Sequence, residues 1–219
     1  SSLLIFKSLS RANLIALVIG ITTLVVLNLF DKKNVSGILG VGALSLIAVF
    51  NIEKIFLLVH SFIGDATIHI ASGSDRTRTN LIKTGFHFLD DTFGFGVGAG
   101  NIEYWVGNRG TMNVHGITNM HNWWMEILVG YGVIIFVGYI AVYLHIFSTL
   151  VKYYRTTNDP FIKETSSIFI GFMVAFIVAA MSASSLISAE WLFFFWGIII
   201  TFIGYCERTM NSRTSQSPE

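Results

Sequence analysis

Long apolar runs alternate with short polar stretches along this chain. Asn13 to Phe30 is the first run, at about 18 residues enough to cross a hydrocarbon core as a helix. Asp31 to Asn34 makes a polar turn, and Val35 to Ile52 is a second, Gly-rich run closed by Glu53 and Lys54. Ile55 to Ile63 is too short to span and reads as an interfacial segment. Residues 64 to about 122 are mostly polar and read as one long loop. A third span runs from Trp123 to about Leu150, a fourth from Thr165 to Met181 and a fifth from Trp191 to Tyr205. The polar stretch Lys152–Glu164 and the small-residue turn Ser182–Glu190 separate them. This pattern predicts an all-α polytopic membrane protein. Its membrane domain covers residues 1–206, and residues 207–219 form a polar tail without fixed structure. Runs such as Ile168–Met181 have no polar face to offer water, which excludes a soluble helical bundle.

Composition agrees. Of 219 residues, 53% are hydrophobic and 12% charged, about half the charged share of a soluble domain. A net charge of +1 supplies no field for a nucleic-acid partner. The lone Cys206 allows neither an internal disulfide nor a cysteine metal cluster. The chain starts Ser1-Ser2-Leu3 without a charged leader segment and reads as a piece of a longer membrane protein. Lys32, Lys33, Lys152, Arg155, Lys163, Arg208 and Arg213 fall on one side of a five-span arrangement, which assigns that side to the cytoplasm. The 64–122 loop then lies outside, and Trp105, Trp123, Trp124 and Trp191 fall near its interface as an aromatic belt.

Candidate chemistry gathers in that loop. His121-Asn122 ends it where the third span begins. The open N–H groups and positive dipole end of a helix lower a histidine pKa, favouring the neutral form that accepts a proton. The same pair also suits plain helix capping. Glu126 follows about a turn inside the span, placed to orient the histidine or to face a bundle interior. Arg76 and Arg78, among hydroxyl residues in Ser74–Asn80, suit paired donation to a diphosphate or a solvated loop. Arg11, at the outer end of the first span, suits the same anion or an interfacial anchor. His115 lies six residues before His121, a poor spacing for a metal pair, and no metal site is expected. The run Gly94-Phe95-Gly96-Val97-Gly98-Ala99-Gly100-Asn101 looks like a phosphate loop. It lacks the Walker spacing and a βαβ context, so its alternating glycines read as permitting tight turns and close backbone approach.

Taken in order, these pieces resemble the O-antigen ligase and polymerase superfamily, from about residue 10 to about residue 140. The likeness rests on Ser10-Arg11-Ala12 opening a span. It rests next on Arg78, Lys83 and Gly85 followed by Gly96-Val97-Gly98-Ala99-Gly100-Asn101. Last come His121-Asn122, Leu128 and Gly132-Val133-Ile134. Two positions depart from the family pattern: Ile82 stands where a tryptophan is usual, and Thr92 or Phe93 where a proline is usual. The family arginine therefore falls on Arg78 or Arg76. The resemblance implies the C-terminal half of a metal-independent, inverting glycosyltransferase of helical C-type fold in the bacterial cytoplasmic membrane. It would use no cofactor and act at the extracytoplasmic face. Donor and acceptor would be undecaprenyl-diphosphate-linked glycans, with a chain-length regulator or flippase as further partner. In that reading His121 is the general base, Glu126 its orienter, and Arg11 with Arg78 or Arg76 holds the donor diphosphate. Asn122, Gly96, Gly98, Gly100 and Asn101 position the loop. The resemblance favours a polymerase, with an O-antigen ligase as alternative. Two non-enzymatic readings compete, a polysaccharide-related transporter and a membrane scaffold. A serine protease around Ser184 and Ser185 lacks the nucleophile elbow.

Overall fold

A computed structural model describes residues 11–31, 72–183 and 189–214. The described residues are helical throughout their regular elements and contain no strand. In chain order the helices are α1 (Arg11–Asp31), α2 (Ser72–Asp91), α3 (Ile102–Arg109), α4 (Trp123–Thr156), α5 (Pro160–Ala179) and α6 (Glu190–Thr214). Three segments are long and apolar enough to cross a bilayer: α4, α5 and Glu190–Ser212 of α6. A shorter apolar stretch, Ile15–Leu27, lies in α1. The chain is a polytopic all-helical membrane protein. The expected second span Val35–Ile52, the interfacial segment 55–63, Lys32, Lys33, Ser184 and Ser185 lie outside the described residues.

Element boundaries differ from the sequence reading for local reasons. α5 begins at Pro160 rather than Thr165 because Asp159 caps it, its carboxylate accepting from the N–H of Phe161 (3.0 Å) and of Ile162 (3.4 Å). Asp followed by Pro is a strong helix start, and it outweighs the polar Lys163 and Glu164 in the opening turns. α6 runs on to Thr214, so residues 207–214 are helical.

The bundle centres on α5. Gly20 of α1 faces Ala175 and Gly171, and Leu24, one turn on, faces Gly171, one turn back, so α1 and α5 are antiparallel. A Cβ added at Gly20 would sit 3.1 Å from that of Ala175, and one at Gly171 would sit 2.9 Å from Leu24 Cγ. Small residues at such a crossing let two backbones approach, the main source of helix association in lipid. In α1 the hydroxyls of Thr22 and Thr23 donate to the carbonyls of Val18 (2.7 Å) and Ile19 (2.8 Å), so neither is left without a partner in an apolar setting. On the other side of α5, Tyr143 donates to the Met173 carbonyl, and Phe169, Phe172 and Phe176 meet Phe195, Phe202 and Trp196 of α6. Phe161 meets Phe202 and Tyr205. The α4–α5 turn and the end of α6 therefore share one end of the bundle, which collects Lys152, Arg155, Lys163 and Arg208.

The polar stretch before α4 is not a plain loop. It holds α2 and α3. α2 buries Thr77, Leu81, Thr84, Phe88 and Leu89, positions recurring every three to four residues, while Arg76, Lys83 and His87 stay exposed. This buried stripe packs with Val97, Val106, Met120, Met125 and Val129 into a second core outside the membrane bundle. Phe88 meets the Trp105 ring edge-on at 5.3 Å, and the Arg109 guanidinium covers that ring at 4.3 Å.

The third span also differs. α4 is two helices joined at Gly132, whose φ of 84° and ψ of 172° break the helical path. Trp124 and Tyr143 are 19 residues apart, about 28 Å along a straight helix. Their rings are 5.9 Å apart, and Trp123 Nε1 donates to the Tyr139 hydroxyl at 3.3 Å. Residues 123–131 therefore fold back against residues 133–156 as a short arm. In a continuous helix the Val133 N–H would bond the Val129 carbonyl. Here Val133 N–H donates to the Gly94 carbonyl (2.8 Å), and the Val129 carbonyl accepts from the Val97 N–H (2.8 Å). The glycine loop is spliced into the gap. The approach is so close that a Cβ on Gly96 would stand 2.6 Å from Gly132 N, and one on Gly132 would stand 2.5 Å from the Phe95 carbonyl.

This geometry separates two glycines that look alike in sequence. Gly100 has φ +77° but open space around it, so Gly100→Ala is expected to cost only the left-handed backbone, about 1–2 kcal/mol. Gly96→Ala meets backbone on three sides and is expected to lose far more folded protein in thermal unfolding in detergent. Equal losses for the two would show that close approach is not what Gly96 provides.

Candidate active site

The base of the arm carries His121-Asn122. Asn122 is the N-cap, its side-chain oxygen accepting from the N–H of Trp124 (3.1 Å) and Met125 (3.3 Å). Trp123 N–H donates to the Ala180 carbonyl at the end of α5 (2.8 Å), and Glu126 N–H to the Asn122 carbonyl (2.9 Å). The first four N–H groups of the arm are thus all taken by protein. The sequence reading gave this helix start open N–H groups; the fold closes these four, so they are not offered to an anion. Trp124 Nε1–H adds a bond to the Ile177 carbonyl (3.1 Å), pinning the base of the arm to α5.

His121 itself is half-buried and left-handed, with φ +47°. A non-glycine residue in that region is uncommon and is held by its surroundings. Met120, 1% exposed, supplies that hold: its side chain lies between α2 and the arm, where a Cβ on Gly85 would come within 2.9 Å of both Met120 and Val129. The His121 imidazole is held below its ordinary value of 6.5, first by burial and second by the positive charge of Arg78. The direction is the one expected from sequence. Its causes are desolvation and a guanidinium rather than the helix end.

Arg78 and Arg76 lie on helix α2, not on a loop. Two residues apart, they point to nearly opposite sides of it. Arg78 stands beside the buried face, close enough to repel a proton on His121, with its own side chain exposed. Arg76 lies on the exposed stripe with Lys83. The pair does not form one fork. Arg11 is the first residue of α1, and its side chain lies outside what is described. Because α1 is antiparallel to α5, it begins at the end of the bundle where α5 finishes, the end that also carries His121. Glu126 is buried within the arm. His115 is exposed in the 110–119 segment. Among the described residues no three His, Cys, Asp or Glu side chains come together as a metal site.

The glycine loop lies at the other end of the arm. Gly96 makes the close approach at the break. Gly98, with φ +91°, leaves room for the side chain of Asn101, whose Nδ2 donates to the Val97 carbonyl (3.1 Å). Asn101 also starts α3. Residues 1–140 match the family described as O-antigen ligase.

The chain belongs to the O-antigen ligase family. It is also 32% identical, over 222 residues, to the teichuronic acid biosynthesis protein TuaE of Bacillus subtilis (strain 168). That alignment takes in 98% of this chain and 44% of TuaE, so the chain spans a little under half of that relative's length. No solved structure matches. The O-antigen ligase match ends eight residues beyond Gly132, so α1, α2, the spliced loop and the whole arm fall inside it, whereas α5 and α6 fall outside. Sequence reasoning missed the parts played by Gly132 and Met120. A glycine inside an apolar run, opening the Gly-Val-Ile landmark, was the available signal for the first.

The two causes acting on His121 make a pH prediction. Arg78→Gln removes the second cause and leaves burial, so the His121 pKa is expected to rise part of the way toward 6.5. Protonation disables a base, so any activity that needs neutral His121 should fall as pH drops through that pKa. In Arg78→Gln the fall should begin at higher pH. Histidine titration by NMR in detergent micelles reads the shift directly, and an unchanged or lower value would deny the Arg78–His121 interaction.

Proposed function

We propose that this chain is part of a polymerase that joins undecaprenyl-diphosphate-linked glycan repeat units at the outer face of the bacterial cytoplasmic membrane. The observation that carries the reading is Arg78 set beside a pKa-depressed His121 at the end of the bundle where α1 begins. The opposite end collects Lys152, Arg155, Lys163 and Arg208, the mark of a cytoplasmic side. Family membership supports a membrane enzyme acting on surface polysaccharide, and the name of TuaE supports the same polymer class.

The chemistry follows from the donor. Its anomeric carbon already bears a diphosphate leaving group, so no nucleotide is required outside the cell. Neutral His121 accepts the proton of an acceptor sugar hydroxyl as that oxygen attacks the anomeric carbon. The carbon–oxygen bond to the diphosphate breaks on the opposite face, the anomeric centre inverts, and undecaprenyl diphosphate leaves. Arg78, with Arg11, meets the charge that grows on the leaving oxygen. In this reading the arginines supply the positive charge and no metal takes part. Burial lowers the His121 pKa and favours the neutral form, and Arg78 beside it adds to that effect.

Transfer of finished glycan to another lipid or wall acceptor is the second reading, favoured by the family's own description. The transporter reading loses support from the arm. Half-helices in transporters offer free N–H groups to anionic substrates, and here those groups are occupied.

The test uses the full-length protein in a host lacking its own polymerase, with lipid-linked glycans resolved on a gel. Wild type should give a ladder of repeats. His121→Ala should collapse it to single units, with turnover lower by about 10²–10⁴-fold, and Arg78→Ala should do the same, both with normal protein levels. Single units in wild type, with glycan moved to another acceptor, would replace the polymerase by the ligase. Normal ladders in both variants would overturn the residue roles.

A further inference from the structure

The corner of the splice exposes two aromatic residues with no counterpart in the proposed chemistry. Phe93 is 91% exposed and Phe95 73% exposed. Phe93 is also left-handed, with φ +51°, a conformation that a bulky residue adopts only against a steric cost. Large exposed apolar side chains held in a strained backbone call for a partner that their setting supplies. The turn around them is firmly built. Thr92 Oγ1 donates to the Phe88 carbonyl (2.7 Å) and accepts from the Gly96 N–H (3.2 Å), and Gly94 N–H donates to the Leu89 carbonyl (2.7 Å). The two rings therefore do not turn inward.

Their depth is fixed by the splice. Gly94, between them, accepts from the Val133 N–H, and a Cβ on Gly94 would be 3.5 Å from the Val133 side chain. Val133, Ile134, Ile135 and Val137 begin the long arm of α4 and are themselves exposed and apolar, Ile134 at 72%. On a membrane-spanning helix such residues face acyl chains. Phe93 and Phe95 are thus continuous with this exposed apolar surface and level with its edge. Asp90 and Asp91, both exposed, stand immediately before them and mark where the polar zone resumes.

We propose that Phe93 and Phe95 insert into the acyl region of the outer leaflet, making residues 92–96 a membrane-anchored tip rather than part of an aqueous loop. The tip and the splice together hold one end of α2 at a set depth. Arg78 lies near the other end of that helix, so the anchor fixes how α2 sits on the bilayer surface. The inference stands on exposure and backbone geometry; it takes the choice of leaflet from the orientation proposed above and does not depend on the proposed reaction.

Collision accessibility of nitroxide labels tests it. The full-length protein, with native cysteines replaced, is labelled singly at Phe93→Cys, Phe95→Cys, Ile134→Cys and Asn108→Cys and reconstituted in phospholipid vesicles. The labels at 93 and 95 should collide with oxygen in preference to a water-soluble nickel chelate, as the label at 134 does. An oxygen-to-nickel ratio like that at 108 would place the tip in water and overturn the proposal. Low collision with both reagents would place it under protein, from another part of the polypeptide or a second copy, and would overturn it equally. Because each phenylalanine is labelled in a separate variant, failure of one to fold leaves the other to decide.

Discussion

A broken helix inside a membrane protein must find new partners for the backbone groups it frees, because lipid offers none. In this chain the break is at Gly132, and the groups it frees include the Val129 carbonyl and the Val133 N–H. The glycine loop supplies both partners through the Val97 N–H and the Gly94 carbonyl. Each of those two bonds is ordinary. Together they replace the Val133–Val129 bond of a continuous helix, and they tolerate no side chain at Gly96 or Gly132.

The rest of the region before the long arm of α4 follows from that exchange. With the loop fixed on α4, α2 is carried alongside the arm, and Gly85 lets Met120 and Val129 close against it. The arm reverses direction, which brings Trp123 and Trp124 back to Tyr139, Tyr143 and the end of α5. His121 then lies at the foot of the arm with Arg78 facing it. Because protein groups saturate the arm's N–H donors, the site's electrostatics come from side chains: a guanidinium against an imidazole in a partly desolvated position.

Much of this was legible in the residues. The apolar runs gave the bilayer-crossing helices, and the alternating glycines were read correctly as a place of close backbone approach. His121-Asn122 was placed at a helix start, where Asn122 does cap. The reversal at Gly132 was not legible, because a single glycine in an apolar run fits a straight span as well as a broken one. Its meaning depends on a loop some 35 positions earlier in the chain. α2 was hidden by its polar composition. Its core-facing positions include Thr77 and Thr84, so the helical period was present without the apolar character that usually reveals it. Arg76 and Arg78 could be told apart only once they were known to be helical, since a loop sets no angle between neighbours.

Magic-angle NMR on the full-length protein in lipid, with labelled tryptophan and tyrosine, tests the fold-back most directly. The structure places the Trp124 and Tyr143 rings 5.9 Å apart and the Tyr143 and Trp196 rings 5.7 Å apart. Both pairs should give cross-peaks, the first lost in Trp124→Phe. A Tyr143–Trp196 peak without a Trp124–Tyr143 peak would mean that α4 runs straight, and that the loop splice and the approach of Arg78 to His121 do not exist.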